Sequence, residues 1–323
     1  LDDATEARSD LAVAVGVPHA RDQLFPHALQ YFPWALCAAP QPAGTQAIIG
    51  NSWNAFAFAR RGIPMICVER LFVLDPALAP YKGRAQRVFH DTIVRHGVTR
   101  SYKLAGRTVA LSRSSAESMR LVFPGLNPLV IPNGVDLDFF TPPDERRPLA
   151  GREIRLLFVG NLSRRKGADL LVPIMERLGE RFVLHCASKR DGARSVPKHP
   201  RIHSLGSLSL EGVRAAYRDS DILVLPSRLE GMPRVVVEAM ACALPVVASR
   251  ASSMPELVRD GVTGRTCAPD EPADFARAIA ELVRSQDEYD AHASASRREA
   301  LENHDLRRMA RTSPAKRFHR TSS

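Results

Sequence analysis

The sequence predicts an α/β protein with parallel sheets, arranged in two domains. Three observations predict this class. Apolar runs of strand length alternate with amphipathic helical segments, which is typical of parallel sheets covered by helices. The chain has 323 residues, enough for two hydrophobic cores. Residues 141–148 are charged and proline-rich, which is typical of a linker.

These observations divide the chain into four expected segments. They are an N-terminal domain over residues 1–140, a linker over residues 141–152, a C-terminal domain over residues 153–290 and a basic tail over residues 291–323. The expected strands of the N-terminal domain are residues 11–17, 47–50, 63–68, 108–111 and 129–131.

The C-terminal domain shows the more regular alternation. Its expected strands are residues 154–159, 181–186, 221–226 and 245–249, and its expected helices are residues 168–178, 210–218, 233–243, 254–258 and 272–284. Ligands bind beyond the carboxyl ends of the strands in open α/β sheets. The loops after Val159, Cys186 and Pro226 are therefore the expected binding loops.

Composition excludes several classes of protein. No apolar run reaches the roughly 20 residues that a membrane-spanning helix needs. The acidic start of the chain lacks the order of a secretory signal, so we expect a cytoplasmic protein. The five cysteines are far apart and form no Cys-x-x-Cys pair, which argues against a zinc site or a disulfide framework. We expect them to be buried, reduced thiols.

The net charge of +10 is concentrated near the C-terminus, where residues 297–323 carry eight basic and three acidic side chains. Such a tail suits an anionic membrane or a phosphate-bearing acceptor, and it equally suits a solvated surface. A nucleic-acid-binding protein is a weaker interpretation, because the sequence has no recognition element beyond its charge.

The strongest functional signal is the segment 227–240, in which a strand leads through a tight loop into a helix. We expect the helix to begin at Pro233, and its N-terminal amides suit a diphosphate. Gly231 lets the backbone approach a ligand. Glu238 lies in an apolar helix and needs hydrogen-bond donors, which a ribose diol supplies, and Glu230 in the loop can accept from sugar hydroxyls. The structural alternative is that Glu238 pairs with an internal arginine while Glu230 caps the helix.

A second signal follows the strand 154–159. Gly160 and Gly167 frame a loop at the predicted ligand-binding edge, and the loop contains Arg165 and Lys166. These cations can neutralise a diphosphate, including the charge that develops on a leaving group. The alternative is a solvated basic turn.

The spacing of Glu230 and Glu238 resembles the Glu-x7-Glu motif of retaining glycosyltransferases of family 4. The similarity is nearly continuous from about residue 152 to residue 283, and it includes segments 221–227, 239–241, 244–249, 255–258 and 260–264. The resemblance implies the GT-B fold, in which two Rossmann-like domains face one another across a cleft. It also implies transfer of a hexose from a nucleoside diphosphate sugar to a hydroxyl acceptor, with retention and without a metal or other cofactor.

The resemblance implies roles for individual residues. Glu230 and Lys166 would be catalytic, and the family's usual arginine is replaced by Asn161, so we expect Arg165 to take over its role. The loop 203–208 corresponds to the one that meets the nucleotide base. The implied donor-binding residues are Gly160, Asn161, Arg165, Lys166, Gly206, Leu208, Glu230, Gly231, Met232, Pro233, Arg234 and Glu238.

Two further patterns have structural interpretations. Asp219 and Asp221 form an Asp-x-Asp pair that binds a divalent metal in other glycosyltransferases. Here Asp221 opens a buried strand and matches a framework aspartate of family 4, so we expect no metal ligand at this place. The segment 133–136 matches the family's Asn-Gly-Val-Asp, and Asn-Gly is also a common turn.

The N-terminal half fits the family less well. The glycine-rich loop of the first βαβ unit is not found, so we expect a fragment or a shortened form, and Arg70 stands where many relatives place a histidine. These departures favour a rival interpretation, a nucleotide-sugar-binding protein that does not turn over. A nicotinamide-dependent dehydrogenase is a second rival, but the Gly-x-Gly-x-x-Gly arrangement that it needs is not found in the sequence. The main expectation is a bacterial enzyme of polysaccharide, glycolipid or glycoconjugate assembly.

Overall fold

The computed structural model describes residues 45–60, 62–188 and 196–312. The chain divides into two compact units. The first unit comprises residues 1–132 and 306–323, and the second unit comprises residues 133–305. The expected strand at residues 11–17, Cys37 and the basic residues 316, 317 and 320 lie outside the described residues.

The first unit contains a four-stranded parallel sheet. Its strands are β1 (Ile48–Gly50), β2 (Met65–Glu69), β3 (Arg107–Ala110) and β4 (Leu129–Val130), in the spatial order β1-β2-β3-β4. All four strands were predicted from the sequence. The helices of this unit are α1 (Arg84–Phe89), α2 (Arg95–Leu104), α3 (Arg113–Val122) and α10 (Leu306–Thr312), and the π-turn His90–Val94 joins α1 to α2.

The core of the first unit lies between its sheet and its helices. Phe72, Val98 and Met119 are fully buried there. A polar cluster lies at the carboxyl end of β2, where Glu69 is buried and its Oε2 accepts hydrogen bonds from the hydroxyls of Ser52 and Tyr102, the latter at 3.2 Å. Burial raises the pKa of Glu69 to about 7, although both hydrogen bonds act in the opposite direction.

The second unit contains a six-stranded parallel sheet in the order β10-β9-β8-β5-β6-β7. Its strands are β5 (Ile154–Val159), β6 (Phe182–Ala187), β7 (Ile202–Gly206), β8 (Ile222–Leu225), β9 (Val246–Ser249) and β10 (Gly264–Cys267). Its helices are α4 (Leu171–Arg177), α5 (Leu210–Asp219), α6 (Arg234–Ala241), α7 (Met254–Leu257), α8 (Pro272–Leu282) and α9 (Gln286–Asn303).

The strand order reverses at β5, which pairs with β6 on one side and with β8 on the other. Leu156 of β5 lies opposite Leu184 and Ile222 in the two ladders, and all three side chains are buried. The place where the order reverses is the ligand-binding crevice of open α/β sheets. The loops that follow β5 and β8 border this crevice.

The structure differs from the sequence-based expectation at three elements of the second unit. Strands β7 and β10 were not predicted, and neither was helix α9. Residues 291–303, which were expected to belong to a tail, lie in this helix. The guanidinium of Arg297 donates to the carbonyls of Phe140 at 2.9 Å and Ala241 at 2.6 Å. These contacts join α9 to the body of the unit.

The two ends of the second unit lie side by side. Val135 and Asp305 form a parallel bridge, and the amide of Val135 donates to the carbonyl of His304 at 2.8 Å. The ring Nδ1 of His304 lies 3.0 Å from the carbonyl oxygen of Asn133. Burial lowers the pKa of His304 below its ordinary value.

Both sheets are entirely parallel and connected by helices, so the α/β prediction is confirmed. The cysteines at positions 67, 186, 242 and 267 are buried, free thiols, as expected. Across the described residues, no helix combines the length and the apolar character that a membrane crossing requires.

Candidate active site

The loop after β5 is shaped by two glycines in conformations that other residues rarely adopt. Gly160 has a φ of +147° and Gly167 a φ of +74°. A Cβ on Gly167 would lie 2.1 Å from the carbonyl oxygen of Pro226, which is a severe overlap with backbone. The loop after β5 therefore lies directly against the loop after β8, and only glycine permits this approach.

Hydrogen bonds also join these two loops. The amide of Arg228 donates to the carbonyl of Arg165 at 2.9 Å, and the guanidinium of Arg165 donates to the carbonyl of Leu229 at 2.5 Å. The side chain of Ser163 caps the turn that follows by accepting from the amide of Lys166. As a result, Arg165 and Lys166 face the loop that contains Glu230.

Glu230 forms ion pairs with both of these cations. Its Oε1 lies 2.6 Å from Nζ of Lys166, and its Oε2 lies 3.4 Å from a terminal nitrogen of Arg165. The carboxylate is 9% exposed, so solvent screens these pairs only partly. The stem of Lys166 runs past Gly160, with Cδ, Cε and Nζ each 3.8 Å from where a Cβ of Gly160 would be, an ordinary contact distance. The structure thus brings together Gly160, Arg165, Lys166 and Glu230.

Sequence reasoning missed Arg228, whose side chain connects the loop after β8 to the loops after β5 and β10. Its guanidinium forms two hydrogen bonds to the carboxylate of Asp169, at 2.7 and 2.9 Å, and its Nε donates to Asp270 at 2.5 Å. It also donates to the carbonyl of Arg164. Burial acts to raise the pKa of Asp169, but the hydrogen bonds and the charge of Arg228, together with a backbone hydrogen bond and the nearby charge of Arg164, outweigh it and lower this pKa. A charged residue placed directly after a buried strand was the available signal.

Helix α6 begins one residue later than expected. Pro233 is its N-cap, with extended backbone, and Arg234 is the first helical residue. Proline was expected at the first helical position, and the cap position differs because ψ of Pro233 is 120°. Gly231, Met232 and Pro233 are buried and lead directly into the helix.

Glu238 is buried one turn into α6, where its carboxylate contacts the side chains of Tyr217 and Arg234. The hydroxyl of Tyr217 donates to its Oε2 at 3.0 Å, and Nε of Arg234 lies 3.4 Å from its Oε1. Burial, with the nearby Glu238 carboxylate, raises the pKa of Tyr217 well above its ordinary value and keeps the hydroxyl a donor. The structural alternative is met in part, because an arginine does pair with Glu238. That arginine belongs to the same helix and is one-third exposed rather than internal.

Asn133 holds the loop before α6, a role that its turn motif did not suggest. Its side-chain amide donates to the carbonyl of Met232 at 2.7 Å, and its backbone amide lies 3.1 Å from the sulfur of Met232. The carbonyl of Asn133 faces the ring of His304. The Met232 peptide is therefore fixed by a residue far away in the sequence.

The remaining expected donor-binding residues occupy the same sheet edge. Asn161 is exposed, and its carbonyl accepts from the amide of Ser163 at 2.8 Å. Gly206, with a φ of +67°, ends strand β7, and its carbonyl accepts from the amide of Ser188 at 2.9 Å. Leu208 is half-buried in the connection to α5. Because β7 is separated from β5 by β6, Gly206 and Leu208 lie farther along the edge than Lys166 does.

Asp221 is occupied by framework contacts. Its carboxylate accepts two hydrogen bonds from the guanidinium of Arg152, at 2.7 and 2.8 Å, and a third from the amide of Arg155. The exposed Asp219 pairs with the side chain of Arg155 at 2.6 Å. In the part of the chain that the structure describes, no three His, Cys, Asp or Glu side chains cluster as metal ligands would.

In the first unit, Arg70 follows the carboxyl end of β2 and is exposed. It is adjacent to the buried Glu69. The expected strand over residues 63–68 likewise ends shortly before Arg70.

Part of the second unit matches a known protein family. Residues 153–285 match the family model Glycosyl transferases group 1. D-inositol 3-phosphate glycosyltransferase of Geodermatophilus obscurus is 34% identical over 179 residues, which is 48% of this chain and 40% of that protein. The chain thus spans about two fifths of the length of the curated relatives that it matches.

Solved structures show the same fold over a larger part of the chain. Sucrose-phosphate synthase from Thermosynechococcus elongatus has a TM-score of 0.77 at 19% identity, over 93% of this chain and 81% of that one. HepE of Anabaena, solved in complex with UDP and glucose, has a TM-score of 0.68 at 20% identity, over 85% of this chain and 78% of that one. These likenesses and the two parallel sheets confirm the predicted GT-B fold class.

Proposed function

We propose that this chain is a glycosyltransferase that moves a hexose from a nucleoside diphosphate sugar to a hydroxyl acceptor. The observation that carries the proposal is the contact of Lys166 and Arg165 with Glu230. It places two cations and a carboxylate together where the strand order reverses, the place at which open α/β sheets bind nucleotides. The match of residues 153–285 to the group 1 family supports the same activity.

In this proposal the two cations bind the diphosphate of the donor. Lys166 and Arg165 would leave the carboxylate of Glu230 in part and contact phosphate oxygens, because a diphosphate offers them more negative charge than one carboxylate. The buried segment Gly231–Met232–Pro233 leads into the N-terminus of α6, whose dipole also favours an anion. Gly160 and Asn161, in the same loop as the two cations, would bind the donor through backbone groups.

The two glutamates would hold the two ends of the donor. Glu230 accepts hydrogen bonds from the hydroxyls of the sugar, and Glu238, beside Arg234 and Tyr217, accepts from the ribose. Gly206 and Leu208 would contact the base. During transfer, the bond between the anomeric carbon and the diphosphate oxygen breaks, and its electron pair leaves with the diphosphate. The acceptor oxygen forms the new bond to the anomeric carbon and gives its proton to the departing diphosphate, while Lys166 stabilises the charge of the leaving group.

We further propose membership of glycosyltransferase family 4, with retention of configuration and without a metal ion. The Glu-x7-Glu spacing of Glu230 and Glu238 supports the family. The supply of charge by Lys166 and Arg165 supports the absence of a metal, because these cations can do what a divalent ion does in other classes. No other cofactor is expected.

The acceptor and cellular context are proposed more broadly. We assign acceptor binding to the first unit and expect a glycan, glycolipid or small hydroxyl compound from polysaccharide or glycoconjugate assembly. The net charge of +10 suits peripheral association with an anionic membrane at the inner face of the plasma membrane, for an otherwise cytoplasmic protein. No binding to nucleic acid is expected.

One observation favours a second candidate, a nucleotide-sugar-binding protein without turnover. Arg70 occupies the end of β2, where the resemblance to family 4 expects a histidine near the reacting carbon. A binding protein would keep the donor loops of the second unit intact and would lack transfer and donor hydrolysis.

Calorimetry of the purified chain against UDP, GDP and ADP tests the proposal, with UDP first because HepE was solved with it. Saturable binding of one nucleotide, followed by release of that nucleotide from its sugar conjugate, supports the transferase. Binding without release supports the second candidate. Absence of binding by all three nucleotides contradicts both.

A further inference from the structure

Ser252 has a backbone conformation that serine rarely adopts. It lies in the loop between β9 and α7, and its φ is +55°, in the left-handed region that favours glycine. Residues other than glycine persist in this conformation only when the surrounding structure holds them there. The contacts of this side chain therefore matter.

The hydroxyl of Ser252 bridges both backbone groups of a single residue, Glu230. It accepts a hydrogen bond from the Glu230 amide at 3.2 Å and donates one to the Glu230 carbonyl. The fully buried Ser253 donates to the same carbonyl at 3.2 Å. The loop after β8 leaves this peptide outside the sheet ladder, and the two serines supply the partners that the ladder would have supplied.

The side chain of Glu230 is fixed at its other end by Lys166, at 2.6 Å. With the backbone held at both its amide and its carbonyl, the direction in which the carboxylate leaves the main chain is set. A catalytic carboxylate that is displaced by about 1 Å can lose on the order of 100-fold in rate. The bridging hydroxyl is therefore well placed to control activity without touching substrate.

We propose that Ser252 is a positioning residue for Glu230, and that its hydroxyl is kept at the cost of a strained backbone. The inference rests on the proposed function, because it assigns a role relative to the carboxylate that would hold the donor sugar. Glycine would relieve the strain at Ser252 and would leave the Glu230 peptide without this bridge.

Three variants separate the hydroxyl from the strain. Ser252→Gly removes both, Ser252→Ala removes the hydroxyl and keeps the strain, and Ser252→Thr keeps the hydroxyl while adding a β-branched side chain that disfavours positive φ. Ala243→Gly is the matched control, because Ala243 also has a φ of +55° and lies outside the proposed site.

We expect turnover of the nucleotide sugar to follow the hydroxyl and thermal stability to follow the strain. Ser252→Gly and Ser252→Ala should both lose roughly 10- to 100-fold in kcat. Ser252→Gly should melt about 2–4 °C above Ser252→Ala. Ser252→Thr should be the least stable variant and yet keep kcat within a few-fold of wild type. Ala243→Gly should keep its turnover.

Hydrogen exchange of the free protein gives a readout that does not depend on activity. The Glu230 amide should exchange faster in Ser252→Gly than in wild type, whereas the amides of β8 should be unchanged. A Ser252→Gly variant with wild-type turnover, or with an equally protected Glu230 amide, overturns the inference. Failure of the wild type itself to bind UDP, GDP or ADP is a different result: it overturns the proposed function, and this inference with it.

Discussion

Lys166 and Glu230 meet at 2.6 Å although they lie in loops that follow different strands, β5 and β8. The contact is possible because Gly167 lets the first loop press against the carbonyl of Pro226 in the second. A basic residue and an acidic residue are thus held together at the sheet edge by a backbone approach that only glycine allows.

Replacing Glu230 with glutamine should reduce turnover of the nucleotide sugar by roughly 100-fold or more, because the neutral amide cannot accept sugar hydroxyls as a carboxylate does. Steady-state kinetics with the donor identified by calorimetry measures the effect. Glu271→Gln, at an exposed carboxylate, serves as the control and should behave as wild type. Equal turnover in Glu230→Gln and in the control would contradict the proposed role.

Lys166→Gln should weaken binding of the nucleoside diphosphate by roughly 10- to 150-fold, since a charge-assisted contact with phosphate contributes on the order of 1.5–3 kcal/mol. Calorimetry against UDP, GDP and ADP at two salt concentrations measures both the loss and its salt dependence. Lys103→Gln, at an exposed lysine of the first unit, is the control. An unchanged dissociation constant in Lys166→Gln would remove this lysine from the proposed site.

Gly167→Ala should destabilise the second unit by several kcal/mol more than Gly151→Ala, as roughly expected for a strained and sterically blocked position. The two glycines have similar φ values of +74° and +69°, but a Cβ on Gly151 meets nothing within 4 Å. The comparison therefore isolates the approach to Pro226. Denaturant unfolding measures both variants, and equal losses would show that the close approach does not constrain this position.

Asp169→Asn should lower thermal stability near neutral pH, because the neutral amide has one acceptor oxygen and can accept only one of the two hydrogen bonds from Arg228. The pKa of Asp169 lies below its ordinary value of 3.8 in the folded chain. Its ionised form therefore stabilises the fold above about pH 4, and this stabilisation is lost as the pH falls through the lowered pKa. Melting temperatures at pH 7 and pH 3 measure the difference between wild type and variant. A difference that does not shrink at the lower pH would contradict this ion pair.

The raised pKa of Glu69 predicts the opposite pH dependence of stability for the first unit. Its pKa is raised from 4.5 to about 7 by burial, so that the folded chain keeps a proton that the unfolded chain has already released. Stability should therefore fall as the pH rises from about 4.5 to 7, and it should level off above that. Glu69→Gln, which is neutral throughout, should remove this part of the slope. Thermal melts across the pH range compare the two proteins, and parallel curves would show that Glu69 does not titrate in this window.

The strands that the sequence predicts best are those buried on both faces. Residues 154–159 match β5 without error, and β8 and β9 fall within one residue of their expected bounds. These strands are continuous apolar runs, which is the pattern that a parallel sheet covered by helices imposes. Strands β7 and β10 lie at the two edges of the sheet. Most residues of β7 are exposed, and β10 is only the four residues Gly264–Cys267, so neither shows a clear apolar run.

Helix α9 was missed for a different reason. Apart from Tyr289, its buried residues are alanines and a serine, and most of its other residues are polar or charged. Such a helix presents little apolar periodicity, and its basic residues resembled a solvated tail. Arg297 illustrates why a basic residue is a poor sign of a solvated tail, because its guanidinium donates hydrogen bonds to carbonyl groups within the unit.

At the candidate site, sequence reasoning found the residues of one loop at a time. Glu230, Lys166 and Glu238 could be named because each stands in a short segment with a recognisable pattern. Arg228, Ser252 and Asn133 could not, because their importance depends on contacts with loops that follow other strands. Such contacts become visible only once the sheet has set which strand ends are neighbours.

The bridge between Val135 and Asp305 makes the second unit a closed loop of chain whose entry and exit points coincide. A unit whose ends are adjacent can be excised and inserted elsewhere as a whole. It can also be circularly permuted, with its original ends linked and new termini placed in an exposed turn. The 173-residue piece from Asn133 to Asp305 is therefore a natural unit for exchanging the loops after β5 and β8 between proteins of the same fold.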